Sequence, residues 1–176
     1  MPSPADPSRE GDPGQEPVEE VDGEGRVLRL VTRSEMRRRR LRHRTVFIAA
    51  LDPSGTRLLV HQRAPWKDAW PLRWDVAFGG VCGVGERWAD AARRELAEEA
   101  GLSSPLVDLG EGRYEDDDVR EVARVYVTRT AEKPTCPDGE VVATAWVNLG
   151  ELDAWLAVHD VCDDSLALVL PHVRRR

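Results

Sequence analysis

From residue 80 the chain reads Gly80-Val-Cys-Gly-Val-Gly-Glu86-Arg-Trp-Ala-Asp-Ala-Ala-Arg-Arg94-Glu95-Leu-Ala-Glu98-Glu99-Ala-Gly101-Leu102. A glycine-rich loop runs directly into a segment of good helix formers, so we predict a helix over 89–100. Gly101 follows at the position where a residue with positive φ ends a helix. Because residues three and four apart share a helical face, the helix should present three carboxylates together.

These carboxylates belong to Glu95, Glu98 and Glu99, and like charges this close repel one another. Arg94 can pair with Glu98 at a spacing of four, whereas Glu95 and Glu99 have no basic residue four positions away. A hard divalent cation relieves such repulsion, and oxygen ligands suit Mg²⁺ or Mn²⁺. The alternative interpretation of three glutamates alone is an ordinary solvated acidic helix.

The whole stretch resembles the Nudix box, G-x5-E-x7-R-E-U-x-E-E-x-G-U, in which U is an aliphatic residue. Seven positions each require one residue type, so a chance match is on the order of one in ten million per starting position. Nudix proteins hydrolyse a pyrophosphate linkage with water and a divalent metal. The matching positions are Gly80, Glu86, Arg94, Glu95, Leu96, Glu98, Glu99, Gly101 and Leu102.

The resemblance implies a role for each matched polar residue. Glu95, Glu98 and Glu99 are the implied metal-binding acids, with the carbonyl of Gly80 as a further ligand and Mg²⁺ or Mn²⁺ as the cofactor. Glu86 and Arg94 are expected to orient the loop and the helix through an ion pair. A bound metal ion neutralises phosphate charge and makes a bound water a better nucleophile.

Length and composition limit the class of protein. The 176 residues suggest one domain, and the net charge of −7 argues against binding a nucleic-acid polymer. The resemblance implies a small-molecule diphosphate as the binding partner, and a homodimer is left open. The three cysteines match no metal-binding spacing, and no apolar run is long enough for a membrane span or a signal peptide. These features predict a cytoplasmic protein with reduced thiols.

Proline and acidic residues dominate the first 24 positions, so residues 1–24 are expected to form an unstructured tail and residues 25–176 the folded domain. We predict strands at 27–31, 45–51, 57–63, 75–78, 105–114, 119–130 and 141–147. A helix should start at the capping sequence 32–35 and continue through the arginines to 44, and two more should cover 151–158 and 165–173. The resemblance implies an α/β fold, the Nudix α/β/α sandwich with a mixed β-sheet.

Residues outside the box complete the list of candidates. Arg63, at the end of a strand, can reach a phosphate, and Trp66 and Trp70 can stack on a substrate or simply cover the end of the sheet. In Nudix folds an acid outside the box often completes the metal site or acts as the base. Glu121 and Glu140 are the two candidates for that position.

The lead-in to the box also resembles the isopentenyl-diphosphate-isomerase-like branch of the family. Those isomerases require a cysteine seven residues before the first box glutamate, and Gly79 stands there, with Cys82 three residues too late. Without that thiol, and with an intact box, hydrolysis of a nucleoside diphosphate derivative or another organic diphosphate is the favoured function. An isomerase-like enzyme and a non-catalytic ligand-sensing module are the alternatives.

Overall fold

The computed structural model describes residues 12–174. Its strands are β1 (Pro17–Val21), β2 (Val27–Thr32), β3 (Arg42–Leu51), β4 (Arg57–Arg63), β5 (Trp74–Asp75), β6 (Phe78–Val81), β7 (Leu106–Glu115), β8 (Arg120–Arg129) and β9 (Val141–Asn148). Its α-helices are α1 (Arg33–Arg38), α2 (Trp88–Glu95), α3 (Leu152–Leu156), α4 (Asp163–Leu168) and α5 (Leu170–Val173). The prediction of mixed strands and few helices is thus confirmed.

Strands β3 to β9 form one mixed sheet, in which β5, β4, β3, β8 and β7 follow one another. β3 and β8 are parallel, whereas β3 and β4 form the predicted antiparallel hairpin. The first half of β3 pairs with β6, and β9 pairs with the outer side of β4. This arrangement brings β6, which leads into the glycine-rich loop, to the middle of the sheet.

The two faces of the sheet have separate cores, since side chains alternate along each strand. One face of β3, including Val46 and Ile48, packs on Ala91 and Leu96 of the box helix. The opposite face, including Phe47, packs on the C-terminal helices α3 to α5 through buried side chains such as Leu168. Helices therefore cover both faces, and the α/β/α sandwich with a mixed β-sheet is confirmed.

The helix of the box is continued by a wider, π-helical turn. α2 ends at Glu95, and Leu96–Ala100, predicted as ordinary α-helix, forms this turn before Gly101 at φ 69°. The left-handed end at Gly101 is confirmed, and a Cβ there would overlap the side chain of Thr135. π-Helical turns occur frequently at functional sites.

The expected unstructured tail is wrong for residues 12–24, and residues 1–11 lie outside the described part of the chain. Pro17–Val21 pairs antiparallel with β2, and Val18 and Val21 are each 2% exposed. Val18 packs with Met36 of α1, so these few apolar residues do find a core. The composition of the whole segment did not indicate this strand, because prolines and acidic residues surround its few apolar residues.

Two further boundaries differ from the sequence predictions. Helix α1 begins as predicted, with Thr32 Oγ1 accepting from the Glu35 amide at 3.1 Å, but it ends at Arg38. The chain then turns at Arg40, at φ 51°, and Arg42–Arg44 extend β3 in register with β8. Likewise the predicted strand 75–78 is divided between β5 and β6, because its two ends pair with β4 and β3 respectively.

His61 on β4 supplies a pH test of this core. It is 1% exposed and stacks on Phe78 at 4.5 Å between ring centroids, and its Nδ1 has no partner among the described residues. Burial, followed by the charges of Arg63 and Lys67, lowers the pKa of His61 well below 6.5. Below about pH 6.5, His61 is therefore protonated in the unfolded chain but not in the folded protein. The free energy of unfolding must then fall as the pH drops below about 6.5.

We expect His61→Phe, which keeps an aromatic ring against Phe78, to remove this dependence. From about pH 7.5 to about pH 5.5, the wild type should lose about 1.4 kcal/mol of unfolding free energy relative to the variant. Urea denaturation at the two pH values measures the difference, with His172→Asn as the control. Equal losses in wild type and His61→Phe would show that His61 is protonated in the folded protein.

Candidate active site

Two glycines of β6 lie against the carboxylates of the box helix. The amide of Gly79 donates to Glu99 Oε2 at 3.0 Å. A Cβ on Gly80 would come within 2.8 Å of the Glu95 carboxylate, so glycine is needed for this close approach. The end of β6 and the last turns of the helix are thereby held face to face, with Glu95 and Glu99 between them.

Arg94 connects the loop to the helix. Its Nε and Nη2 donate to the two oxygens of Glu86, each at 2.9 Å, in the bidentate geometry that a guanidinium favours. Its Nη1 donates to Glu95 at 2.6 Å and to Glu98 at 3.2 Å. The ion pair of Arg94 with Glu98 therefore forms as the spacing indicated, and the one with Glu86 as the family resemblance implied. The Glu95 contact was missed, because only residues four positions away were considered.

Burial shifts the ionisation of the box acids. Glu95 is 8% exposed and Glu99 is 2% exposed, whereas Glu98 is exposed. Burial raises the pKa of Glu99 to about 8 against the attraction of Lys67, and raises that of Glu95 to about 6 against that of Arg94. Buried carboxyl groups with shifted pKa values are typical of functional sites.

Lys67 reaches this cluster from the loop between β4 and β5. Its ammonium lies 3.5 Å from Glu99 Oε1 and also bonds to Glu140 Oε2, and its side chain is 11% exposed. Glu140, just before β9, is held nearby because its carbonyl accepts from the Ala64 amide at 2.9 Å. Of the two acids outside the box, Glu140 is thus the one brought to Glu99.

Glu121 lies elsewhere, on the sheet face opposite the box helix. It lies two residues before Ala123 on β8 and therefore shares the face of the sheet whose core contains Ala123. It lines a recess of about 50 Å³ with Asp75 and Asp164. Thr45 Oγ1 donates to Glu121 Oε1 at 3.2 Å, and His43 Nε2 lies 3.6 Å from the same oxygen. Glu121 therefore lines the recess and not the cleft that Glu95, Glu98 and Glu140 line.

The expected substrate residues lie in or beside the same long loop. Arg63 donates to the carbonyl of Ala69 at 2.9 Å and lines the recess with Trp70. Trp70 donates to Asp118 Oδ2 at 3.1 Å, whereas Trp66 is 43% exposed beside the box acids. Trp74 covers the end of the sheet, packing edge-on against Trp155.

A cleft of about 1100 Å³ separates the box acids from the N-terminal part of the chain. Glu95, Glu98 and Glu140 line it from one side, and Arg33 and Arg37 of α1 line it from the other. Its size suits a small-molecule ligand. The arginines and Lys67 were not among the predicted site residues, because no local pattern indicates that α1 and the loop meet the box helix.

The donor set fits Mg²⁺ or Mn²⁺, because four carboxylates and the Gly80 carbonyl offer hard oxygen ligands. The ammonium of Lys67 already stands among them as a cation. Within residues 12–174, no three His, Cys, Asp or Glu side chains are arranged as a ready metal site. Lys67 bonds to Glu99 and Glu140 in the present arrangement, so a metal ion at these two acids requires the Lys67 side chain to move.

Comparison with known proteins agrees with the site. The NUDIX domain family model matches residues 41–164. A curated Nudix hydrolase of Streptomyces coelicolor is 44% identical over 150 residues, covering 84% of this chain and 82% of its own. The Nudix hydrolase YfcD of Escherichia coli K12 is 31% identical over 138 residues, covering 78% and 76%.

Solved structures share the fold. The crystal structure of DR0079 from Deinococcus radiodurans matches with a TM-score of 0.74 at 24% identity, covering 91% of this chain and 98% of that one. The NUDIX domain of Shewanella oneidensis NrtR, complexed with ADP ribose, matches with a TM-score of 0.61 at 17% identity, covering 82% and 99%. With the box intact and the family model spanning the sheet and the box helix, this chain belongs to the Nudix hydrolase family.

Proposed function

We propose that this Nudix hydrolase is a divalent-metal-dependent pyrophosphohydrolase of a small organic diphosphate, such as a nucleoside diphosphate derivative. The observation that carries the proposal is that Glu95, Glu98 and Glu140 line one wall of the cleft, with the buried Glu99 joined to Glu140 through Lys67. A diphosphate carries several negative charges, and this wall by itself repels them. Hydrolysis there therefore needs a cation between the carboxylates and the phosphates.

Glu95, Glu98 and Glu99, with the Gly80 carbonyl and Glu140, would hold Mg²⁺ or Mn²⁺. When bound, the metal ion neutralises phosphate charge and lowers the pKa of a coordinated water. Arg94 orients Glu95 and Glu98 and ties them to Glu86, so it acts as a positioning residue. We favour Glu140 over Glu121 as the acid outside the box, because Lys67 joins Glu140 to Glu99, whereas Glu121 lines the adjoining recess and not the cleft.

The isomerase-like alternative is not favoured. Gly79 occupies the position of the required cysteine at φ 155°, and a Cβ there would overlap the carbonyl oxygen of Val46. The chain therefore lacks the required thiol, and a cysteine at this position would also need a different backbone conformation. The sensing alternative is also not favoured, because a pure binding module has no need of a complete set of box acids.

Two observations concern the cysteines and the helices of the described chain. Cys82, Cys136 and Cys162 are all free in the structure, in keeping with a reducing cytoplasm. Among the described helices, none has the length and apolar character that crossing a bilayer requires. The free thiols are the observation that supports a cytoplasmic location for the proposed enzyme.

The test is a phosphate-release screen with and without Mg²⁺ or Mn²⁺. The panel contains ADP-ribose and other nucleoside diphosphate sugars, dinucleotides, nucleoside triphosphates and prenyl diphosphates, with phosphatase coupling to detect each product. We expect metal-dependent release from at least one class, and its loss in Glu98→Gln but not in the exposed control Glu132→Gln. If the folded, metal-bound wild type released no phosphate from any member of the panel, the proposal would be contradicted. Formation of an allylic product from isopentenyl diphosphate would favour the isomerase.

A further inference from the structure

The loop between β4 and β5, residues 64–73, carries two adjacent and opposite charges across the cleft. Lys67 pairs with Glu99 and Glu140 on the wall of the box acids. Asp68 Oδ2 accepts from Arg33 Nε at 2.6 Å and from Arg37 Nε at 3.2 Å, on the wall of α1. One dipeptide thus places an ammonium against carboxylates and a carboxylate against guanidinium groups.

These ion pairs are poorly screened by solvent. The side chains of Lys67, Arg33 and Arg37 are 11%, 22% and 20% exposed, and that of Asp68 is 33% exposed. Opposite charges attract more strongly in such surroundings than at an open surface. A ligand that enters the cleft must therefore replace these contacts by equivalent ones.

We propose that the Lys67 ammonium occupies the place of the metal ion and that the Asp68 carboxylate occupies the place of a substrate phosphate. Arg33 and Arg37 then form the phosphate subsite. The inference rests on the proposed diphosphate hydrolysis and extends it to the second wall of the cleft. When the metal ion binds, the ion pairs of Lys67 with Glu99 and Glu140 break and the two carboxylates contact the metal ion instead. When the substrate binds, Asp68 separates from Arg33 and Arg37, and the two arginines contact a phosphate. The loop itself then moves aside as the substrate enters.

Charge and geometry both support the arginines in this role. Two guanidinium groups converge on a single carboxylate oxygen, Asp68 Oδ2, and a phosphate offers several oxygens to the same donors. Arg33 and Arg37 also line both the cleft and the adjoining recess. They lie before residue 41, outside the range that the family model matches, so this subsite belongs to the N-terminal part of this chain.

Metal binding without substrate tests the first half of the proposal. Lys67 and Lys133 are the two lysines of the chain, and Lys133 is exposed. Titration with Mn²⁺, followed by the electron paramagnetic resonance of the free ion, should give Lys67→Met an affinity about tenfold above that of wild type, since its competing charge is gone. Lys133→Met should match wild type. Equal or weaker Mn²⁺ binding by a folded Lys67→Met would overturn the proposal.

The wild-type chain supplies a second readout that requires no variant. Acylation of Lys67 relative to Lys133, measured by mass spectrometry, should rise several-fold when Mg²⁺ is added, because Lys67 leaves the acid cluster. An unchanged ratio at saturating Mg²⁺ contradicts its displacement. Failure of wild type to bind Mn²⁺ would instead contradict the proposed function, so the two failures are distinguishable.

Methylenediphosphonate is a diphosphate analogue whose bridging carbon cannot be hydrolysed. Its binding in the presence of Mg²⁺ tests the arginines. Calorimetry should give Arg37→Gln a dissociation constant about tenfold above that of wild type, and Asp68→Asn one several-fold below it. Asp117→Asn, in the exposed turn between β7 and β8, is the matched control and should bind as wild type does. Unchanged affinity in both Arg37→Gln and Asp68→Asn would exclude the phosphate subsite.

Discussion

Glu99→Gln is expected to abolish the rise in melting temperature that Mg²⁺ produces, while the metal-free protein stays as stable as wild type or becomes more stable. Glu99 is 2% exposed, and burial raises its pKa to about 8, so a negative charge there is costly without a cation. A glutamine oxygen can still accept from the Gly79 amide, which now bonds to Glu99 at 3.0 Å. The attraction to Lys67 is lost, but so is the repulsion from Glu95 and Glu140.

Thermal unfolding with and without Mg²⁺ measures both effects. At about one hundred times the dissociation constant, bound Mg²⁺ stabilises wild type by about 2.7 kcal/mol, or about 5–10 °C for a chain of this size. The variant should gain almost nothing, and its metal-dependent hydrolysis should fall by at least about 100-fold. Glu132→Gln, on an exposed loop, should behave as wild type. An undiminished Mg²⁺ effect in Glu99→Gln would remove Glu99 from the list of ligands.

Gly79→Ala is expected to destabilise the protein by about 3 kcal/mol or more. Gly79 has φ 155°, in a region that only glycine adopts readily, and it pairs with Phe47 in the centre of the sheet. An added Cβ would overlap the carbonyl oxygen of Val46, and a backbone atom of β3 cannot move away as a flexible side chain can. Overpacking and backbone strain therefore both contribute.

Urea denaturation of Gly79→Ala and of a matched control measures this cost. Gly150 is the control, because it is exposed and a Cβ there would meet nothing within 4 Å. Gly150→Ala should change the unfolding free energy by less than about 0.5 kcal/mol. A Gly79→Ala variant as stable as the control would mean that β6 shifts easily. Overlap with the Val46 carbonyl oxygen would then not explain why a cysteine is absent from position 79.

The parts of the fold that depend on local chemistry were predictable. Thr32 caps α1, Gly101 ends the box helix, and β3 and β4 form a hairpin, all as their sequences indicate. Errors arose where a partner far along the chain decides the outcome. Pro17–Val21 forms a strand because β2 and α1 offer it a core, and the arginines at 42–44 become part of β3 because β8 pairs with them.

The active site divides in the same way. Spacing within the box was enough to identify the family and to put Glu95, Glu98 and Glu99 together, because neighbours on one helical turn meet whatever the rest of the chain does. Only the tertiary structure brings Glu140 and Lys67 to Glu99, turns Glu121 to the opposite face, and sets Asp68 between Arg33 and Arg37. Those contacts join segments up to 73 residues apart, and their positions follow from strand order and register rather than from any local pattern.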